Sequence, residues 1–260
     1  MWLVSPRIRG GIGLNLLLRA ISVADFSIIV GGSPYAQNIY PRIKFTLKFH
    51  IPTYYKLIKP IAYFRSATSY SLLKRIAKTL YLSPSIPSRK CSEELQRNIE
   101  LRVHPLDSVE PYPSTGHSIS NIIDIHQLRW IMKHPALKSY VCSIMYRGTS
   151  IGLSVCYIND HQPAAPTGRI VHISYLGDNE MIWHTALLKV EAFLRDYGCS
   201  VISTMSSHPI FAKALKDAGY ISCSKGTPCY MRDVKNALPG IPNDDWHLTF
   251  VEGDSGFRGV

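Results

Sequence analysis

The residues best suited to chemistry stand near the start of the chain. Arg7 and Arg9 lie directly ahead of Gly10, Gly11 and Gly13, with the apolar run Leu14-Asn15-Leu16-Leu17-Leu18 behind them. Glycines there let the backbone turn tightly and leave its N–H groups uncovered by side chains. A helix opening at that point adds the partial positive charge of its N-terminus. Together these features make an anion cradle suited to a phosphate or pyrophosphate, and forked arginine donors can reach the same oxygens. An ordinary strand-to-helix turn, with glycines for clearance, uses the same residues. Two familiar nucleotide patterns are absent: no Lys-Ser/Thr pair follows the glycines, and Gly-x-Gly-x-x-Gly does not occur.

The elements that must hold such a cradle follow in order. Trp2–Val4 is a short apolar run ending at Ser5-Pro6, read as the end of a strand. Leu14–Ile21 reads as a helix and Phe26–Val30 as a buried strand closed by Gly31-Gly32. Ser33-Pro34 is a helix start, with Ser as cap and Pro in the first turn. A short helix through Tyr40 and a strand over Phe45–Phe49 complete a β-α-β-α-β order, so an α/β sheet is expected.

This stretch resembles the acyl-CoA-binding half of GNAT-type N-acyltransferases, in which a strand leads into an Arg-Gly-x-Gly-x-Gly loop around the CoA pyrophosphate. A strand and a short helix ending Tyr-x-x-x-Gly-Phe then follow. The matching residues here are Val4-Ser5-Pro6, Arg9-Gly10-Gly11-Ile12-Gly13 and Tyr40-Pro41-Arg42-Ile43-Lys44-Phe45. The loop is one residue shorter than the usual pattern, and Lys44 replaces the usual glycine. The resemblance implies acetyl-CoA or another acyl-CoA as co-substrate. Its implied contacts are Val4, Arg9, Gly10, Gly11, Ile12, Gly13 and Asn38, with Tyr40 as the acid that protonates the departing thiolate. The strands and helices that build the acceptor side in that family have no counterpart ahead of this loop.

The second half repeats the architecture. Tyr140–Tyr146 and Ile151–Ile158 read as a hairpin, Arg169–Leu176 as a third strand, and the segment after Asp178 as a long helix with Asp178 as its cap. A strand at Val201–Met205, a helix from Pro209 to Ala218 and a last strand from Cys229 follow. Ala218-Gly219-Tyr220 matches the family's helix exit, yet Leu176-Gly177-Asp178-Asn179-Glu180 stands where the pyrophosphate loop belongs and Leu215 where the tyrosine belongs. Carboxylates there repel a pyrophosphate. The expected fold is therefore α/β and GNAT-like, a mixed sheet with flanking helices. Residues 1–82 are expected as the C-terminal half of one acyl-CoA-binding domain, 83–97 as a turn-rich linker and 98–260 as a second, degenerate GNAT-like domain.

Composition narrows the function classes. The chain has 260 residues, 46% of them hydrophobic, ample for a packed core. A formal charge of +11 favours an anionic partner; a phosphorylated cofactor meets that need, and no nucleic-acid motif accompanies the charge. Leu72, Leu73, Ile76 and Leu80 fall at helical spacing among Lys74, Arg75 and Lys78. A packed helix with a solvated basic face and a helix lying on a membrane surface both fit them. No run approaches the about 18 apolar residues of a transmembrane helix. Six cysteines have no C-x-x-C spacing and ten histidines no H-E-x-x-H, so reduced thiols, a cytoplasmic location and no metal are expected. His184 reads as a helix residue among apolar neighbours and His208 as a turn residue. Asp245-Trp246-His247-Leu248-Thr249 resembles the C-terminal segment of tandem GNAT-like proteins of polysaccharide or cell-surface biosynthesis. Trp246 reads either as an aromatic anchor for a sugar or amine or as part of a packed terminus. The function expected from the resemblance is acyl transfer from acyl-CoA to a small amine acceptor; the alternative is a non-catalytic scaffold that keeps only the fold.

Overall fold

A computed structural model describes residues 12–66, 76, 79, 91–104, 119–120, 126, 138–160, 165–175, 177–222, 225–235, 240–242 and 245–250. The helices are α1 (Ile12–Ser22), α2 (Pro34–Ile39), α3 (Pro60–Ser66), α4 (Glu93–Asn98), α5 (Glu180–Asp196) and α6 (Pro209–Asp217). The strands are β1 (Phe26–Val30), β2 (Thr46–Ile51), β3 (Thr53–Leu57), β4 (Ile99–His104), β5 (Lys138–Tyr146), β6 (Thr149–Asn159), β7 (Thr167–Tyr175), β8 (Val201–Met205), β9 (Ile221–Ser222) and β10 (Thr227–Asp233).

Two sheets carry the fold. The small one has the order β1-β10-β2, and the large one the order β9-β3-β8-β7-β6-β5-β4. Pairing within these two sheets is antiparallel, except that β7 and β8 run parallel, and a separate short parallel pair joins Ile119–Ser120 to Trp246–His247. Strands from the two ends of the chain are interleaved: β10 lies between β1 and β2, while β3 sits beside β8. Residues on both sides of the expected linker at 83–97 therefore share each sheet. Strand β3 falls where the sequence shows only a mixed apolar and basic stretch.

Apolar faces set the layers. On one face of the small sheet Ile29 and Tyr230 pack with Leu17 and Ile21 of α1 and with Ala36, Tyr40 and Phe45. Its other face, including Val30, Ile51 and Cys229, closes on Val141, Val155, Val171 and Met205 of the large sheet. The far face of the large sheet is covered by α5 and α6 through Trp183, Leu187, Leu194, Phe211 and Leu215, all fully buried. Burying each such side chain is worth about 1.5–3 kcal/mol, so this double layer supplies most of the core.

Local chemistry explains the element ends. Ser33 caps α2, its Oγ accepting from Ala36 N–H at 3.2 Å, with Pro34 in the first turn. Arg147 and Gly148, at φ 49° and 82°, make the tight turn between β5 and β6. Both positive φ values match the turn that follows the strand twist. Asn179, one residue beyond the expected Asp178, caps α5 by accepting from Met181 N–H at 2.9 Å.

Candidate functional site

The strand-to-helix unit after α1 recurs late in the chain without a gap. Phe26 and Val201, Ser33 and His208, Tyr40 and Leu215, Lys44 and Gly219, and Phe45 and Tyr220 are each 175 positions apart (201 − 26, 208 − 33, 215 − 40, 219 − 44, 220 − 45). The structure makes these pairs equivalent. Ser33 and His208 are both helix caps followed by proline. Phe45 N–H donates to Tyr40 C=O at 3.0 Å, and Tyr220 N–H donates to Leu215 C=O at 2.9 Å. Lys44 N–H and Gly219 N–H make the accompanying inner bonds to Pro41 and Lys216. This is the six-to-one and five-to-two bonding of a helix stop whose exit residue is left-handed. Lys44 takes that conformation at φ 66°, where the second copy uses Gly219 at φ 87°. The lysine noted in the sequence therefore leaves the exit geometry intact.

In the first copy β1 ends at Val30 and the chain turns through Gly31 and Gly32, at φ 86° and 112°. A Cβ on Gly32 would lie 2.5 Å from the Tyr40 hydroxyl oxygen, so only glycine lets the phenol come this close. The Tyr40 ring stands edge-on to Tyr230 of β10 at 4.9 Å and tilted to Phe45 at 6.1 Å, and the residue is buried. Asn38 lies exposed on α2. Ile12 and Gly13 open α1, which covers the same sheet face as Tyr40. Val4, Arg9, Gly10 and Gly11 lie outside the described residues.

The second copy is closed where the first turns through glycines. Strands β7 and β8 pair from Thr167–Val201 to Ile170–Thr204, after which β7 continues to Tyr175 paired with β6 but no longer with β8. Residues Trp246–Phe250 lie beside that parting. Thr249 bridges Ser206, Ser207 N–H donates to Leu248 C=O at 3.0 Å, and Leu248 N–H donates to Ser207 Oγ at 2.8 Å. Ser206 and Ser207 stand 175 positions after Gly31 and Gly32 (206 − 31, 207 − 32). At the start of α5 the amides of Met181 and Ile182 are capped by Asn179, and Glu180 is paired with Lys213 of α6 at 2.6 Å. Trp183 Nε1–H donates to Gly177 C=O at 3.1 Å. These contacts use, inside the protein, the amides and space that an anion would need.

Several other side chains that could do chemistry are built into the core. Trp246 is 1% exposed and meets Phe49 edge-on at 5.6 Å, so it is part of a packed terminus. Burial holds the His172 imidazole down at about 4 and pushes the Cys156 and Cys199 thiols up to about 12 and 11. Protonated, buried thiols are poor nucleophiles. His184 is buried on α5, and His208 caps α6, its Nδ1 accepting from Phe211 N–H at 3.3 Å. Among the described residues no group of three or more His, Cys, Asp or Glu side chains could hold a metal ion. No described helix is long and apolar enough to cross a membrane. Tyr230 meets Tyr40 only in the fold, since nothing local in the sequence ties a residue of β10 to Tyr40.

No family model matches the chain, and no curated protein does. Solved structures do. A GCN5-related N-acetyltransferase from Anabaena variabilis aligns with a TM-score of 0.52 at 12% identity, over 89% of this chain and 53% of that one. The chain thus spans about half the length of that structure. An N-myristoyltransferase from Saccharomyces cerevisiae with bound myristoyl-CoA aligns at 0.47 and 10% identity, over 89% and 60% of the two chains. A tandem GNAT protein from the clavulanic acid biosynthesis pathway aligns at 0.41 and 12%, over 89% and 73%. The fold is GNAT-like: a mixed sheet with flanking helices, in the form shared with N-acetyltransferases.

Proposed function

We propose that the protein is an acyl-CoA-dependent N-acyltransferase whose cofactor lies in the N-terminal unit. The observation that carries this is the Arg9-Gly10-Gly11-Ile12-Gly13 run, which leads into the first turn of α1, the helix that shares its sheet face with Tyr40. Backbone amides of the glycine run and the start of α1 would hold the pyrophosphate, with Arg9 pairing to its charge. Val4 and Asn38 would flank the pantetheine. A neutral amine attacks the thioester carbonyl, forming the C–N bond and a tetrahedral intermediate. Collapse breaks the C–S bond, and Tyr40 gives its phenolic proton to the departing CoA thiolate. The proton lost by the amine returns to Tyr40 through solvent. The acceptor class in this reading is a small amine, a sugar or a cell-surface polysaccharide precursor, met in the cytoplasm. In this reading the units at 1–82 and 98–260 exchange one strand each.

A second reading is favoured for the C-terminal unit by a specific observation: its strand parting, helix cap and helix pair are already satisfied by Trp246–Phe250, Asn179 and Lys213. That unit is a non-catalytic partner that lends β10, and with it Tyr230, to the first. The test is calorimetry with acetyl-CoA on the wild type and on Gly11→Glu. A side chain and a negative charge in the cradle should weaken binding tenfold or more, a loss of about 1.4 kcal/mol. Equal affinities would remove the cradle from the mechanism.

A further inference from the structure

We infer that Trp246–Phe250 is a strap that His172 latches while neutral and releases on taking up a proton. The strap lies where β7 and β8 part; Trp246 and His247 pair in parallel with Ile119 and Ser120, Thr249 bridges Ser206, and Ser207 makes several further bonds to its backbone. Ser207 receives Leu248 N–H at its Oγ and donates its own N–H to Leu248 C=O, while its hydroxyl donates to Trp246 C=O at 2.5 Å. From β7 the polar contact is made by His172, whose Nδ1 lies 3.1 Å from Thr249 Oγ1. Its ring stacks on His247 of the strap at 5.5 Å with an interplanar angle of 21°.

Among the described residues, the other groups around this latch offer no reward for a proton on His172. From the strap it meets His247 and Thr249; the ring of His208, at the cap of α6, lies 5.3 Å from His247. Trp183 of α5 reaches His247 at 5.8 Å. On its own strand Arg169 is a buried cation, its guanidinium 4.7 Å over Phe250 and 5.3 Å over Tyr157 of β6. Two stacked imidazoles cannot both be charged in such a site without strong repulsion. Burial is the cause that holds His172 low, and no carboxylate among the described residues offsets it.

The direction follows from linkage. Docked, His172 titrates at about 4; undocked, it returns to about 6.5. The docked form therefore holds its full advantage above about 6.5 and loses it as the pH falls toward 4. With these values the opening equilibrium rises about thirtyfold between pH 7.5 and 5. A few-residue strap can open alone, because local openings cost less than unfolding the sheet.

Hydrogen–deuterium exchange on the full chain tests this, with rates corrected for the intrinsic effect of pH. The amides of Trp246–Phe250 should lose about thirtyfold in protection between pH 7.5 and 5, while those of β5 and β6 keep theirs. His172→Gln keeps a polar partner for Thr249 but does not titrate, and its strap should stay protected at pH 5. Should that variant not fold, the imidazole NMR titration of the wild type replaces it, with an apparent value below 5 expected at His172. Three results would overturn the latch: unchanged strap protection at pH 5, joint loss across strap and sheet, or a His172→Gln strap that opens like the wild type. A wild-type His172 titrating near 6.5 with the strap still protected would do the same.

Discussion

Lys56→Met should destabilise the protein severely. Lys56 is on β3, the strand inserted beside β8, and its Nζ donates to both carboxylate oxygens of Glu191 on α5, at 2.8 and 2.7 Å. The two side chains are only 11% and 9% exposed, so little solvent screens the pair. The ammonium also lies 5.5 Å from the centre of the Tyr220 ring. Methionine keeps the length and apolar stem of lysine but leaves the Glu191 carboxylate buried without its cation. Removing one member of a buried pair costs about 3–5 kcal/mol, against a total stability of about 5–15 kcal/mol for a typical domain. Urea unfolding followed by far-UV circular dichroism should show this loss as a lower midpoint at unchanged slope. The double variant Lys56→Met/Glu191→Leu should regain most of it, because an apolar pair of similar volume carries no uncompensated charge. A loss below about 1 kcal/mol for the single variant, or a double variant no better than the single, would show that the pair does not hold β3 to α5.

Lys44→Gly should stabilise the protein by about 1 kcal/mol, since it removes the steric cost of a side chain at φ 66°. Differential scanning fluorimetry should then show a rise of about 2–4 °C, and no rise would mean that the lysine stem packs well enough to offset the strain. Tyr40→Phe keeps the ring contact with Tyr230 and removes the proton donor. With a responsive amine acceptor, turnover measured by thiol release should fall about a hundredfold or more while acyl-CoA affinity holds; wild-type turnover would leave the mechanism without its acid.

What could be read without the structure was what neighbouring residues decide among themselves. The strands at Phe26–Val30 and Val201–Met205, the Ser33-Pro34 helix start and the Arg147-Gly148 turn all rest on contacts within a few positions of chain. The two helix exits at Phe45 and Tyr220 belong to the same class, because their bonds reach back only five residues. The glycine run that leads into α1 is local as well, and the cradle proposed there rests on residue type and spacing alone. The pairing of β3 with β8, and the insertion of β10 between β1 and β2, had no such local mark. Which strand completes a sheet edge depends on apolar faces meeting across the fold, and Lys56 meets Glu191 across 135 positions. For the same reason only the tertiary structure set Tyr230 against Tyr40 and turned Trp246 inward onto Phe49. Nothing near Ser206 and Ser207 in the sequence marks them as partners of Thr249 and Leu248. A hydrogen bond that closes within one turn of chain is written in that turn, whereas one that closes between distant segments depends on how the whole chain packs.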